Sequence, residues 1–156
     1  MAMTTKPLVR EIKPISFLFF RTEASLDQLP NFVVVGKDLF KEAVAYNLQV
    51  TGPIHWHYVD YHCDPDQPFT LEIALPVAET LAEYDGSFHF KRTDTFRCVA
   101  MTHEGSWDSM GLSYEKLHEF ITSKQLKPLS LHREVYVNAD FRHPDANVTE
   151  IQVGVA

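Results

Sequence analysis

Residues Leu48 to Ala78 read "LQVTGPIHWHYVDYHCDPDQPFTLEIALPVA", and Leu126 to Ala156, 78 positions later, read "LKPLSLHREVYVNADFRHPDANVTEIQVGVA". Without a gap, seven of these 31 positions are identical: Leu48/Leu126, Tyr58/Tyr136, Val59/Val137, Glu72/Glu150, Ile73/Ile151, Val77/Val155 and Ala78/Ala156. Asp60/Asn138 and Leu75/Val153 are near matches, and the loops "DPD" and "HPD" fall one position apart. The chain has 156 residues, so the spacing is half its length. A fixed internal period marks a repeated structural unit. The expectation is one domain, 1–156, made of two repeats, 1–78 and 79–156.

Each half carries the same order of signals. A β-rich run comes first, "PISFLFFRTEA" in one half and "SFHFKRTDTFRCVAMTHEG" in the other. A helical stripe follows: Phe32, Val35, Leu39, Ala43 and Tyr46, then Met110, Tyr114, Leu117 and Ile121 with Ser109 or Ser113 as N-cap. The first helix should end before Gly52-Pro53 and the second before Pro128. Two strands close each unit, "IHWHYVDYH" with "FTLEIALPV" and "HREVYVNAD" with "VTEIQVGV". The fold class that follows is α+β: duplicated β-α-β-β modules with antiparallel sheets and a central cleft between two pseudo-symmetric halves.

One stretch invites a different reading. Residues 52–66 crowd His55, His57, His62, Cys63, Asp64 and Asp66 together, all with atoms that metals accept. His55 and His57, at i and i+2, share a strand face and could converge, with Glu72 or His62 as a third ligand. The counterpart "REVYVNADFR" keeps the strand and none of the ligands. The stretch is therefore read as a partly exposed strand, with no metal and no cofactor expected.

Composition removes several function classes. Net charge is −7 without a basic cluster, which argues against nucleic acid as a partner. No run approaches the roughly 18 apolar residues of a membrane span, and the N-terminus lacks the pattern of a secretory signal. The two cysteines, Cys63 and Cys98, form no CxxC pair. A cytoplasmic protein with no membrane association is expected.

Strand parity selects the candidate site. Val135 and Val137 fall on one face of the second-half strand, with Val59 on the same face in the first half; this face is expected to pack under the helices. Trp56, Tyr58, Glu134 and Tyr136 fall on the other. Two repeats meeting about a pseudo-two-fold axis would bring those four together over a cleft, with Phe19 and Trp107 as neighbours. Aromatic walls around one carboxylate suit a flat apolar cation, since π faces attract the charge and the carboxylate neutralises it. The alternative is that Glu134 pairs with Arg133 or Lys127 at the surface and Tyr136 packs in the core.

The stretch from Gly105 to Ala156, with the two residues before it, carries "HEGSW" before a helix, then "REVYVN", then "TEIQVGV" as last strand, and the first half carries "GPIHWHYVD" and "FTLEIALPV". In these features and their order the chain resembles the GyrI-like family. These are small-molecule-binding domains also found as effector-binding domains of multidrug-responsive bacterial transcription activators. The resemblance implies two fused β-α-β-β modules and a central cleft for amphipathic, often cationic compounds. The family's acidic cleft residue matches Glu134, and the tyrosine two positions on matches Tyr136. Some relatives hydrolyse cyclopropane-containing toxins with a Glu and aromatic residues, and others act on a protein partner. Unlike the regulators, residues 1–14 are too short for a helix-turn-helix.

Three functions stay open at this point. The first is a stand-alone binding protein for a small amphipathic or cationic ligand. The second is a hydrolase with Glu134 as general base and Tyr136 or Tyr58 as acid, His103 and His132 being alternative bases. The third is a protein-interaction module. A serine or cysteine hydrolase is not expected: no GxSxG occurs, and Cys98 sits inside a strand run.

Overall fold

A computed structural model describes residues 5–156; residues 1–4, counted above in the first repeat, lie outside the described residues. Eight strands form one antiparallel sheet: β1 (Leu8–Ile12), β2 (Ser16–Ala24), β3 (His55–Val59), β4 (Phe69–Pro76), β5 (His89–Arg92), β6 (Phe96–Glu104), β7 (Pro128–Asn138) and β8 (Val148–Val155). Their order is β1-β6-β8-β7-β3-β4-β2-β5. Helix α1 (Val35–Ala45) follows β2 through a 3-10 segment, Leu26–Phe32, and α2 (Met110–Ser123) follows β6. The class is α+β, as expected.

Each half holds one strand more than the sequence signals showed. The reason is visible in β1, whose residues are nearly all exposed. An exposed edge strand lacks the apolar alternation by which strands are recognised. These additional strands cross between halves: β1 pairs with β6, and β5 pairs with β2. The segments 1–78 and 79–156 are therefore joined by three ladders, the third being β3–β7 at the centre of the sheet.

Registers recur along the chain. In β3–β4, His55 lies opposite Ala74, and in β7–β8 Arg133 lies opposite Gln152, each 78 residues further on. Both helices end through a left-handed residue, Asn47 (φ 55°) and Gln125 (φ 56°), again 78 apart. Behind them Leu48 N–H donates to Ala43 C=O, and Leu126 N–H to Ile121 C=O.

The helices cover the face that carries Leu71, Ile73, Val99 and Ile151, forming two cores. Leu39 and Ala43 of α1 pack with Leu18, Tyr58 and Leu71, and Leu117 and Ile121 of α2 pack with Val99, Met101 and Ile151. The opposite face carries no helix among the described residues, yet it buries Phe17, Phe19, His55, His57, Cys98 and Arg133. The expectation that the Val59/Val135/Val137 face lies under the helices is therefore reversed. Val135 is buried on the helix-free face, and Val137 is exposed. Parity had grouped these residues correctly; which face receives the helices depends on how the connections cross.

Candidate functional site

The site forms where the two halves meet. Trp56 of β3 and Glu134 of β7 are directly opposite in the central ladder, so both project from the middle of the sheet between α1 and α2. Among the helical positions that differ between the halves, Gly36 of α1 stands 78 residues before Tyr114 of α2. A side chain at Gly36 would meet Ile54 at 3.2 Å. On the α2 side the tyrosine reaches inward to Glu134.

Between the helices lies a cavity of about 730 Å³, within the range of small-molecule sites. Its floor is Trp56, Tyr58, Glu134 and Tyr136, and its walls include Phe40, Met110, Tyr114 and Trp107. Ring contacts run from Phe141 to Trp107 (5.4 Å), to Tyr136 (5.6 Å) and to Trp56 (6.1 Å), all edge-to-face. Trp107 is fixed by its indole N–H donating to Thr149 Oγ1 at 3.1 Å. Lys37 lines the cavity from an exposed position in α1.

Glu134 is 6 % exposed. Tyr58 donates its hydroxyl to Oε1 at 2.8 Å, Tyr136 donates to the same oxygen, and Tyr114 donates to Oε2. No basic side chain pairs with it among the described residues; Arg133 and Lys127 are not its partners. Burial raises the carboxyl's proton affinity above the ordinary range, and the three hydroxyl bonds pull it back down. The tyrosines are pushed well up by burial and then by the neighbouring carboxylate. They remain neutral donors.

Trp56, Tyr58, Glu134, Tyr136 and Trp107 thus share one cavity. Phe19 does not. It pairs with Ala74, which also lies opposite His55, so all three are on the helix-free face. There Lys91 sits 4.9 Å over its ring. Parity within β3 and β7 could not reveal the phase of β2, which depends on the β2–β4 register. Tyr114 was missed as a site residue because its place in the α2 stripe reads as core.

The histidines have other employment. His55 and His57 are buried, not partly exposed, and their rings face each other, His55 Nδ1 lying 3.1 Å from His57 Nε2. Lys91 Nζ lies 3.1 Å from His57 Nδ1 and 2.5 Å from Glu72 Oε1. An ammonium only donates, so His57 Nδ1 accepts and its Nε2–H donates to His55. Burial holds His55 down to about 3 and His57 well below its usual value. His103 is enclosed by Ser113, Ser109 and the Ser106 carbonyl. Neither it nor His132 lines the cavity, so neither is a base for chemistry there.

Residues 6–156 match the GyrI-like small molecule binding domain. The chain belongs to that family. No curated protein matches this GyrI-like domain in sequence. Among solved structures it is similar to the EcmrR C-terminal domain, with 17% identity, TM-score 0.77 and 97% of both chains covered. In the EcmrR–DNA complex the match covers 96% of this chain and 57% of that one, at 18% identity and TM-score 0.76. SAV2435 bound to tetraphenylphosphonium is similar at 13% identity and TM-score 0.63, covering 97% and 94% of the two chains. A hydrolase from Listeria innocua is similar at 16% identity and TM-score 0.70, covering 97% and 92%. At such identities the likeness is one of fold.

Proposed function

We propose that this GyrI-like domain binds a small lipophilic cation in the aromatic cavity, with Glu134 as counter-ion. One observation carries the reading: a buried carboxylate, held by three tyrosine hydroxyls and paired with no basic side chain among the described residues, on the floor of a mostly apolar cavity. An unpaired buried charge is costly, and a cationic ligand between aromatic rings relieves that cost. The likeness in fold to SAV2435, which is bound to tetraphenylphosphonium, supports the ligand class.

Titration of tetraphenylphosphonium and of neutral triphenylphosphine oxide tests this. Glu134→Gln keeps the shape and removes the charge. Losing one partner of a desolvated pair costs on the order of 2 kcal/mol, so cation affinity should fall about 30-fold. The neutral probe should change much less. Equal losses for both probes, or none for either, would remove Glu134 from the role.

A second reading, hydrolysis with Glu134 as general base, is favoured by its raised proton affinity beside Tyr58 and Tyr136. The similar Listeria innocua structure is a hydrolase. Product accumulating beyond one equivalent per protein would establish turnover; protection that stops at one equivalent would establish binding.

A further inference from the structure

The loop after β3 brings a thiol to two histidines of the other half. Cys63 is exposed in that loop, His118 is half-buried on α2, and His132 is buried in β7. One ligand atom from each lies within 4.8 Å of the other two, with Cys63 Sγ 4.0 Å from His118 Nε2. None of the three lines the aromatic cavity.

A second observation points to something bound there. His132 is 3 % exposed, and neither its Nδ1 nor its Nε2 has a hydrogen-bond partner among the described residues. Such a group calls for an explanation, because buried polar atoms are nearly always satisfied. The aromatic rings of Tyr61 and Tyr114 hold the imidazole in place, at 5.3 and 6.1 Å between centroids, without offering it an acceptor or donor. The ring of His118, a member of the cluster, lies 6.3 Å from it.

We propose that Cys63, His118 and His132 form a binding site for a zinc-class divalent ion, three protein ligands leaving a fourth position to water. Thiolate and imidazole together are the donor set of tetrahedral zinc. With bonds of about 2.0–2.3 Å, tetrahedral ligand atoms stand roughly 3.5 Å apart, so the cluster closes by an ångström or less at each ligand. Cys63, exposed in its loop, supplies most of that movement. On ligation the S–H bond breaks, its proton passes to solvent water, and the sulfur binds as thiolate. Each imidazole binds through a neutral nitrogen lone pair. No electrons are exchanged.

This site does not depend on the cation reading of the cavity, and its probes are the metals themselves. Metal-free protein prepared without an affinity tag should take up about one equivalent of Co²⁺, with proton release. The complex should show a thiolate-to-cobalt charge-transfer band in the near ultraviolet and the intense visible bands of a four-coordinate ion. Zn²⁺ should displace it. Even loss of a group supporting a ligand weakens metal binding about 10–100-fold; Cys63→Ser should therefore weaken zinc by at least that factor and abolish the charge-transfer band. His118→Ala should weaken zinc similarly, and His132→Gln likewise. His62→Ala, adjacent in sequence but outside the cluster, should leave the band intact. Absence of the band in the wild type would overturn the assignment. So would its survival in both Cys63→Ser and His118→Ala, two accessible positions whose variants keep the fold even if His132→Gln does not, or its loss in His62→Ala.

Discussion

Glu134 is held by three hydroxyls that favour its charged form against a burial that disfavours it. Since a bound cation also favours the carboxylate, tetraphenylphosphonium affinity should rise as pH passes upward through the raised Glu134 value, and Glu134→Gln should flatten that dependence. Tyr114→Phe removes one stabilising donor and should move the midpoint to higher pH, measured by binding titrations across a pH series. The buried histidines give stability a pH dependence of the same sign, from a different cause. His55 is held at about 3 and His57 well below the usual value, against about 6.5 in the unfolded chain. The unfolded state therefore binds more protons below that point, and the stability these residues contribute is present above pH 6.5 and lost as pH falls. Each should cost about 1 kcal/mol between pH 6.5 and 5.5. Urea unfolding should show this, with a shallower dependence in His57→Gln. At this scale Trp56, Tyr58, Glu134 and Tyr136 were legible because alternation fixes which side chains share a strand face. Phe19 and the burial of His55 were not, because they depend on which strands become neighbours.

The elements decide how much room the cavity has. Gly36 and Gly111 sit on the two helices that bound it, and they respond differently to a side chain. At Gly36 a Cβ would press on Ile54 at 3.2 Å, whereas at Gly111 it would meet nothing within 4 Å. Gly111→Ala should therefore leave ligand affinity near that of the wild type. Gly111→Phe should occupy the open space over Tyr114 and lower affinity about tenfold or more, as overpacking commonly costs 1–3 kcal/mol. Isothermal titration of the two variants checks the pair, and equal affinities would mean that α2 does not border the bound ligand. Both helices could be read from their apolar stripes, since Leu39, Ala43, Leu117 and Ile121 are buried. β1 could not be read. Its five residues are exposed or half-buried, and its partner β6 lies nearly ninety residues away. Tyr114 shows the converse limit: a stripe position marks a residue as inward-facing without saying whether it meets core or cavity.

For the whole molecule, we propose that segments 1–78 and 79–156 are copies of one module. The support is the 78-residue recurrence of the inner registers and of the left-handed helix ends. The outer strands show why neither copy is self-sufficient. A cut at residue 78 separates β1 from β6, β3 from β7 and β5 from β2, so each fragment loses a partner in all three ladders. Unpaired strand edges and an uncovered apolar face lead to association with other chains. Tyr84 and Phe90, carried by the second fragment, pack against the core of the first. Either fragment expressed alone should therefore aggregate or self-associate. Co-expressed, fragments 1–78 and 79–156 should elute as a one-to-one complex. That complex should bind tetraphenylphosphonium, because Trp56 and Tyr58 come from one fragment and Glu134, Tyr136 and Tyr114 from the other. Size-exclusion chromatography with light scattering, followed by ligand titration, reads both outcomes. A monomeric, folded fragment 79–156 that binds the cation unaided would show that the site does not need the first half, and that its place at the centre of the sheet is incidental.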